Sequence, residues 1–369
     1  MKITDVELKN YYWERKIPIR NGKHTYTHTG MQLVEIQNDE GQTGIGWGIT
    51  TSLGMMTVAN GFLDYFKPYI INEDPFNYRR TWNNLWQPKI IGRRGISTRI
   101  ISAIDIAIWD LIGKITKKSI HKLLGAFHDR VPAYIAGGYY LEGKGIKSLI
   151  KEVEENLSLG ARAIKIKIGG LTINQDLERI KAVRNTISDD VKLMVDANCS
   201  YNVSDAIQIA KKMEKYDIFW FEEPINPDNY LGYKKVAEST IIPIATGENE
   251  YTRYGFRDLI SCNAASIYNA DAQILGGITE FMQVASLTSA HDLSIAPHGD
   301  QEIHIHLVGA IPNGLFLEFY RETIDVNRGN LFKEKLQLDN EGYIIVPDRP
   351  GLGITPNYDF LEKFRVNKN

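Results

Sequence analysis

The sequence predicts an α/β protein: a (β/α)8 barrel preceded by an N-terminal α+β capping domain, with a C-terminal tail that completes the cap. Three observations point there. From about residue 131, short apolar runs alternate with amphipathic stretches of helical period, the pattern of a parallel sheet. Eight such runs can be marked out, enough to close a barrel. Seven of them in succession, from the second to the eighth, carry an ionisable residue at or near the C-terminal end.

The elements follow in order. Residues 1–125 read as the capping domain. "MQLVEIQ" (31–37) is a strand, "NDEG" (38–41) a turn, and "QTGIGWG" (42–48) a returning strand. The segment before them, "WERKIPIRNGKHTYTHTG" (13–30), is polar and aperiodic, and is expected to be a mobile loop. In "GISTRIISAIDIAIWDLIGK" (95–114), Ser97 is placed as an N-cap, and Ile101, Ile104, Ile108, Leu111 and Ile112 recur at helical spacing. Residues 126–330 carry the barrel. Its expected strands are "VPAYIAGG" (131–138), "RAIKIKIGG" (162–170), "VKLMVDAN" (191–198) and "DIFWFEEP" (217–224). They continue with "IIPIATGE" (241–248), "AASIYNADAQ" (264–273), "DLSIAPH" (292–298) and "GLFLEFY" (314–320). Helical stretches such as 173–187 and 203–216 lie between them. The tail, 331–369, has no further βα pattern and is expected to pack back on the cap.

Composition narrows the function. The chain has 369 residues, 43% hydrophobic and 24% charged, as in ordinary globular proteins. A net charge of −2 supplies no basic field for nucleic acid. "MKITDVELKN" lacks the apolar core of a signal peptide, and no run of about 18 apolar residues offers a membrane span. Two cysteines, Cys199 and Cys262, are too few for a disulfide framework; a cytoplasmic location is expected.

The strand ends hold the chemistry. Lys165 and Lys167 end the second strand, Asp196 the third, Glu222 the fourth, Glu248 the fifth, Asp271 the sixth, His298 the seventh and Glu318 the eighth. Their same-face neighbours are mostly apolar: Met194, Trp220, Ile267, Ala296 and Phe316. One such carboxylate is ordinarily a solvated residue or a helix cap. A whole set at one-repeat spacing marks the C-terminal face of a barrel, where active sites lie. Asp196, Glu222 and Glu248 are oxygen donors suited to Mg²⁺. Glu223 points the other way by strand parity and is expected to be solvated or to support the site. Lys167, crowded by Lys165 and a metal, is expected to have a lowered pKa and to act as a base. Asp271 can hold the His298 imidazole. His304 and His306 are expected to share a face and to pack near the seventh strand. His121, His128 and His291 show no partner. His24 and His28 lie in the 13–30 segment.

These motifs resemble the enolase superfamily, and within it the mandelate racemase subgroup. The carriers are "KIK" (165–167), "DAN" (196–198), "FEEP" (221–224), "TGE" (246–248), "DAQILGG" (271–277), "APHGDQEIHIHL" (296–307) and "LEFY" (317–320), over nearly the whole chain. The resemblance implies Mg²⁺ on Asp196, Glu222 and Glu248, with Lys167 and His298 as acid/base groups on opposite faces of the substrate. It implies Asp271 paired to His298, Lys165 and Glu318 stabilising an enediolate (Glu318 as a donor if protonated), and a homo-oligomer. The wording of 93–114 and 296–310 is most similar to the sugar-acid dehydratases. Asn198, His24, Tyr26 and His28 are then candidate contacts for a polyhydroxylated small-molecule acid, and 47–56 a second loop over the site. The expected reaction is dehydration of an aldonate or aldarate to a 2-keto-3-deoxy acid. A racemase or epimerase of a 2-hydroxy acid, a cycloisomerase and a non-catalytic sugar-acid-binding barrel are the alternatives.

Overall fold

A three-stranded antiparallel sheet opens the computed structural model, which describes residues 1–366. Its strands are β1 (Ile3–Arg20), β2 (Thr25–Asn38) and β3 (Thr43–Thr50), in that order. The segment 13–30 is therefore no loop. It is the distal half of the β1–β2 hairpin, paired from Trp13 with Thr29 to Arg20 with Thr25. A register shift between Glu14 and Ile19 changes the phase of the side chains there. Such a shift erases the alternation that marks a strand in sequence.

Val6, Leu8, Val34 and Ile36 of this sheet share a core with Ile100, Ile104 and Leu111 of the helix Ile96–Thr116. β3 lies close on that helix. A Cβ on Gly44 or Gly46 would sit 2.1 Å from the carbonyl oxygen of Ala107 or Ala103, which is why this strand carries glycine at both positions. The helix starts one residue before Ser97. The chain turns into it at Gly95, whose φ of 107° suits glycine, and Ser97 donates to the Ile91 carbonyl (2.9 Å) instead of capping.

Eight parallel strands follow: β4 (Arg130–Gly137), β5 (Ala163–Lys167), β6 (Lys192–Asp196), β7 (Ile218–Glu222), β8 (Ile244–Thr246), β9 (Ile267–Tyr268), β10 (Ser294–Ile295) and β11 (Leu317–Phe319). Sequence neighbours pair from β4 to β10, and β11 returns beside β4. A bridge between Ile295 and Gly314 joins the last two strands and closes the ring. In the barrel's interior Tyr134, Ala163, Met194, Trp220, Ile267, Ala296 and Phe316 share one buried cluster, so the inward apolar set foreseen from parity is a real layer.

The tail does two things. β12 (Tyr343–Ile345) pairs antiparallel with the start of β4 and closes the barrel's N-terminal end. The chain then returns to the first sheet, where the Val366 amide donates to the Asn10 carbonyl (2.9 Å) and Arg365 bridges to Tyr11. Among the described residues no helix is long and apolar enough to cross a membrane.

Candidate active site

A cavity of about 570 Å³ lies between the capping sheet and the C-terminal ends of the barrel strands. Lys167, Asn198, Glu248, Asp271 and His298 line it from the barrel. Trp13, Arg15, Tyr26 and residues 48–52 line it from the cap. The two halves of the chain enclose one volume.

Asp196 and Glu222 are the last residues of β6 and β7, and Glu248 stands two residues past β8. One oxygen from each lies within 4.8 Å of the others. Asp196 and Glu222 are wholly buried, and Glu248 Oε2 is buried with no hydrogen-bond partner. Burial pushes the Glu222 carboxyl up to about 8; Lys165 opposes this, while Asp196 and Glu248 repel the charge further. Two buried carboxylates and a partly buried third with an orphaned oxygen form a donor set that a hard divalent cation would satisfy. The residues therefore fit Mg²⁺. Trp220 Nε1 and the Asn198 amide orient the set, donating to Glu222 Oε2 (2.9 Å) and Asp196 Oδ1 (2.8 Å).

The two lysines part company. Lys167 lines the cavity and bonds Asp196. Lys165 does not reach it. Its Nζ sits beneath, fully buried, 2.7 Å from Glu222 Oε1, 2.8 Å from Glu318 Oε1 and 3.2 Å from Tyr134 Oη. Neither ammonium is weakened in the protein alone. Burial disfavours the Lys167 charge, but Asp196, Tyr139 and Glu248 together more than offset it and raise the pKa. Glu318, likewise, is held below the usual carboxylate range: burial opposes ionisation, and Lys165 and His298 overcome it. Without a bound cation the surrounding charges thus favour the ammonium form of Lys167 and the carboxylate form of Glu318. The carboxylates crowd the lysines more closely than the lysines crowd each other.

Asp271 lies three residues past β9, where it caps the helix Ala272–Leu275 by accepting from the Gln273 amide (2.8 Å). Its other oxygen meets His298 Nδ1 at 2.9 Å. His298 Nε2 is left toward the cavity, 3.8 Å from Glu248 Oε2. Burial disfavours the imidazolium, yet Glu248 and Asp271 raise its pKa to about 10. Gly299 permits this pairing: a Cβ there would lie 2.7 Å from Asp271.

His304 and His306 fall on a helix, Gln301–Ala310, so they do not share a face. His304 Nε2 accepts from the Ala272 amide (3.0 Å) and lies 3.4 Å from Asp271 Oδ1, beneath the site. His306 bonds the Leu352 carbonyl through Nε2 (3.0 Å). His121 does have a partner, the Gly309 carbonyl at 3.2 Å. Glu223 is buried rather than solvated and accepts from Asn249 Nδ2 (2.8 Å).

Of the four candidate substrate contacts, Asn198 and Tyr26 line the cavity and two do not. His24 is exposed beside Tyr26, and His28 stacks on Tyr12 at 5.2 Å. Sequence reasoning also passed over a polar lattice at the cap–barrel seam. Asp300 bonds Trp47 Nε1 and Arg328, and Gln273 Nε2 reaches Asp300 at 3.2 Å. Asp300 sits inside the quoted "APHGDQ" run, which was the available signal. Arg15 pairs with Asp325 (3.0 Å), a contact across 310 residues with no sequence signal. Arg99, a cation in the apolar helix run 95–114, also lines the cavity.

The family described as mandelate racemase / muconate lactonizing enzyme, N-terminal domain, matches residues 3–125, and that described as enolase C-terminal domain-like matches residues 148–360. The chain is 35% identical over 344 residues to arabinonate dehydratase of Saccharolobus solfataricus, covering 91% of each. It is 33% identical over 382 residues to D-galactarolactone cycloisomerase of Agrobacterium fabrum, covering 99% of each. The structure superposes on L-talarate dehydratase from Polaromonas sp. JS666, complexed with Mg and L-glucarate, with a TM-score of 0.90. That pair is 31% identical, over 99% of this chain and 97% of the other.

Proposed function

The chain belongs to the mandelate racemase subgroup of the enolase superfamily, and on that premise we propose that it is a Mg²⁺-dependent dehydratase of a sugar acid. One observation carries the reading. Lys167 and His298 line a single cavity from different strands together with Glu248, whose carboxylate belongs to a trio with the buried Asp196 and Glu222. These strands are three apart one way round the barrel and five the other. The two side chains therefore approach a bound α-carbon from different sides.

Asp196, Glu222 and Glu248 would hold the ion. When bound it supplies positive charge to the substrate carboxylate as that group becomes an enediolate. Lys167 takes the proton from C2. Its counter-charge in the protein alone is Asp196, and committing that carboxylate to a cation frees the amine for this role. His298, paired through Nδ1 with Asp271, delivers a proton from Nε2 to the C3 hydroxyl, which leaves as water. The enol that remains becomes a 2-keto-3-deoxy acid. Lys165 holds Glu222 and Glu318 in place from below and keeps the floor of the site neutralised. A racemase would use the same pair without losing the hydroxyl, and a cycloisomerase would leave the Asp271–His298 pair idle.

Sugar acids incubated with the protein and Mg²⁺ should give a 2-keto-3-deoxy product detected with semicarbazide. Exchange of the α-hydrogen with deuterated solvent and no keto product would instead indicate racemisation. Mg²⁺ should also raise the melting temperature. A ligand at a hundred times its Kd stabilises by about 2.7 kcal/mol, and Asp196→Asn should abolish the shift. A shift that survives this substitution would place the ion elsewhere.

A further inference from the structure

Every cation that lines the cavity is matched by a carboxylate, with one exception. Lys167 bonds Asp196, Arg15 lies 3.0 Å from Asp325, Arg328 bonds Asp300, and His298 lies 2.9 Å from Asp271. Arg99 lines the same cavity, and among the described residues no carboxylate lies within 4.0 Å of it. Its one side-chain hydrogen bond is from Nε to Tyr251 Oη at 3.3 Å. Both terminal nitrogens of the guanidinium are left for something else. Arg99 also projects from the capping helix Ile96–Thr116, not from a barrel strand like the groups that would do the chemistry.

We infer that Arg99 binds a second carboxylate of the substrate, so that the acid processed here is a dicarboxylic sugar acid (an aldarate) rather than an aldonate. This rests on the dehydratase reading and narrows it. A half-buried guanidinium in a cavity is satisfied best by an anion, and its planar fork matches a carboxylate with two parallel hydrogen bonds. A phosphate ester would also be an anion. It would bring nearly two charges to a spot with one unmatched cation, and the other arginines there are already neutralised. A single carboxylate balances the cavity. One end of the substrate would then sit at the carboxylate trio and the other at Arg99, with the hydroxylated carbons between.

The test compares matched acids that differ only at the far end: galactarate with galactonate, and glucarate with gluconate. 6-Phosphogluconate serves as the phosphate arm. Binding is measured by calorimetry with Mg²⁺ on the Lys167→Ala protein, which does not consume them. At least one dicarboxylate should bind roughly 10- to 100-fold more tightly than its monocarboxylate, the range for a charge-assisted hydrogen-bonded pair. Adding Arg99→Met should erase that gap, and Arg99→Lys should restore part of it. On the otherwise unaltered enzyme, Arg99→Met should act on KM for the dicarboxylate more than on kcat. No gap in either pair, or a gap that Arg99→Met leaves intact, overturns the inference. Tighter binding of 6-phosphogluconate than of both dicarboxylates overturns it in favour of a phosphorylated acid. Turnover of aldonates without a gap would sink this inference and leave the dehydratase reading standing. A gap without turnover of any acid would do the reverse.

Discussion

The same strands build two layers inside the barrel, and the layers could hardly differ more. Met194, Trp220 and Phe316 lie in the apolar layer; Asp196, Glu222 and Glu318, each two residues further along the chain, lie in the charged one. Period-2 alternation puts each pair on one inward face. The lower layer removes apolar surface from water, worth about 25 cal/mol per Å². The upper layer buries carboxylates and lysines whose mutual attraction roughly offsets what desolvation costs them. Lys165 is the seam, since its ammonium binds Glu222 and Glu318 above and the Tyr134 hydroxyl of the apolar layer below. Stability and chemistry are thus separated by a single step of two residues, with Lys165 and the Trp220–Glu222 hydrogen bond as the links between the layers.

Three changes would break or sharpen that contrast, given from the largest expected effect down. Lys167→Ala should lower turnover by about 10²- to 10⁴-fold, the range for a positioned acid–base group, with the thermal midpoint in Mg²⁺ nearly unchanged. Steady-state rates and calorimetric melting together check it; a large fall in melting temperature would show that the charged layer also supports the fold. Met194→Ala should do the opposite. Its side chain is wholly buried in the apolar layer, so truncation should cost about 2–5 kcal/mol of stability, read from the denaturant midpoint, while Mg²⁺ affinity stays within a few-fold. Loss of Mg²⁺ affinity in the still-folded variant would mean that the layers are coupled.

The smallest effect belongs to His306, an ionisable group placed like an apolar one. It is fully buried, its Nδ1 has no partner, and burial lowers its pKa from about 6.5 to about 4. Between those values the unfolded chain binds a proton that the folded chain does not. Its contribution to stability is therefore full above about pH 6.5 and is lost as pH falls toward 4, by up to about 1.4 kcal/mol per pH unit. In His306→Gln, denaturation measured across pH 4–7 should show a shallower acid-side loss than in the parent chain. An identical slope in the two proteins would assign that proton to another group.

Legibility in the sequence followed the reach of the interactions. The eight strands could be placed because each carries its own alternation over a few residues, and the repeat along the chain exposed the ring of ionisable ends. The distal half of the β1–β2 hairpin was hidden because its register shift broke the pattern at the point where it would have been read. His304 and His306 looked like a strand pair in "HIH", but the run is helical, and the two side chains meet Asp271 and Leu352 on different sides. His24 and His28 were drawn in by composition alone, and the hairpin carries neither to the cavity.

What the sequence by itself determined is therefore which residues face inward and in what order they come, since periodicity and capping act between near neighbours. Which charges meet was decided by the tertiary structure alone. Lys165 and Lys167 are indistinguishable in "KIK", yet one lies under the floor and the other lines the cavity, because their partners stand on other strands. Arg99 meets Tyr251 across 152 residues of chain, and Trp47 meets Asp300 across 253. Coulombic forces and hydrogen bonds act over a few ångströms, and only the closed fold brings such groups within that distance.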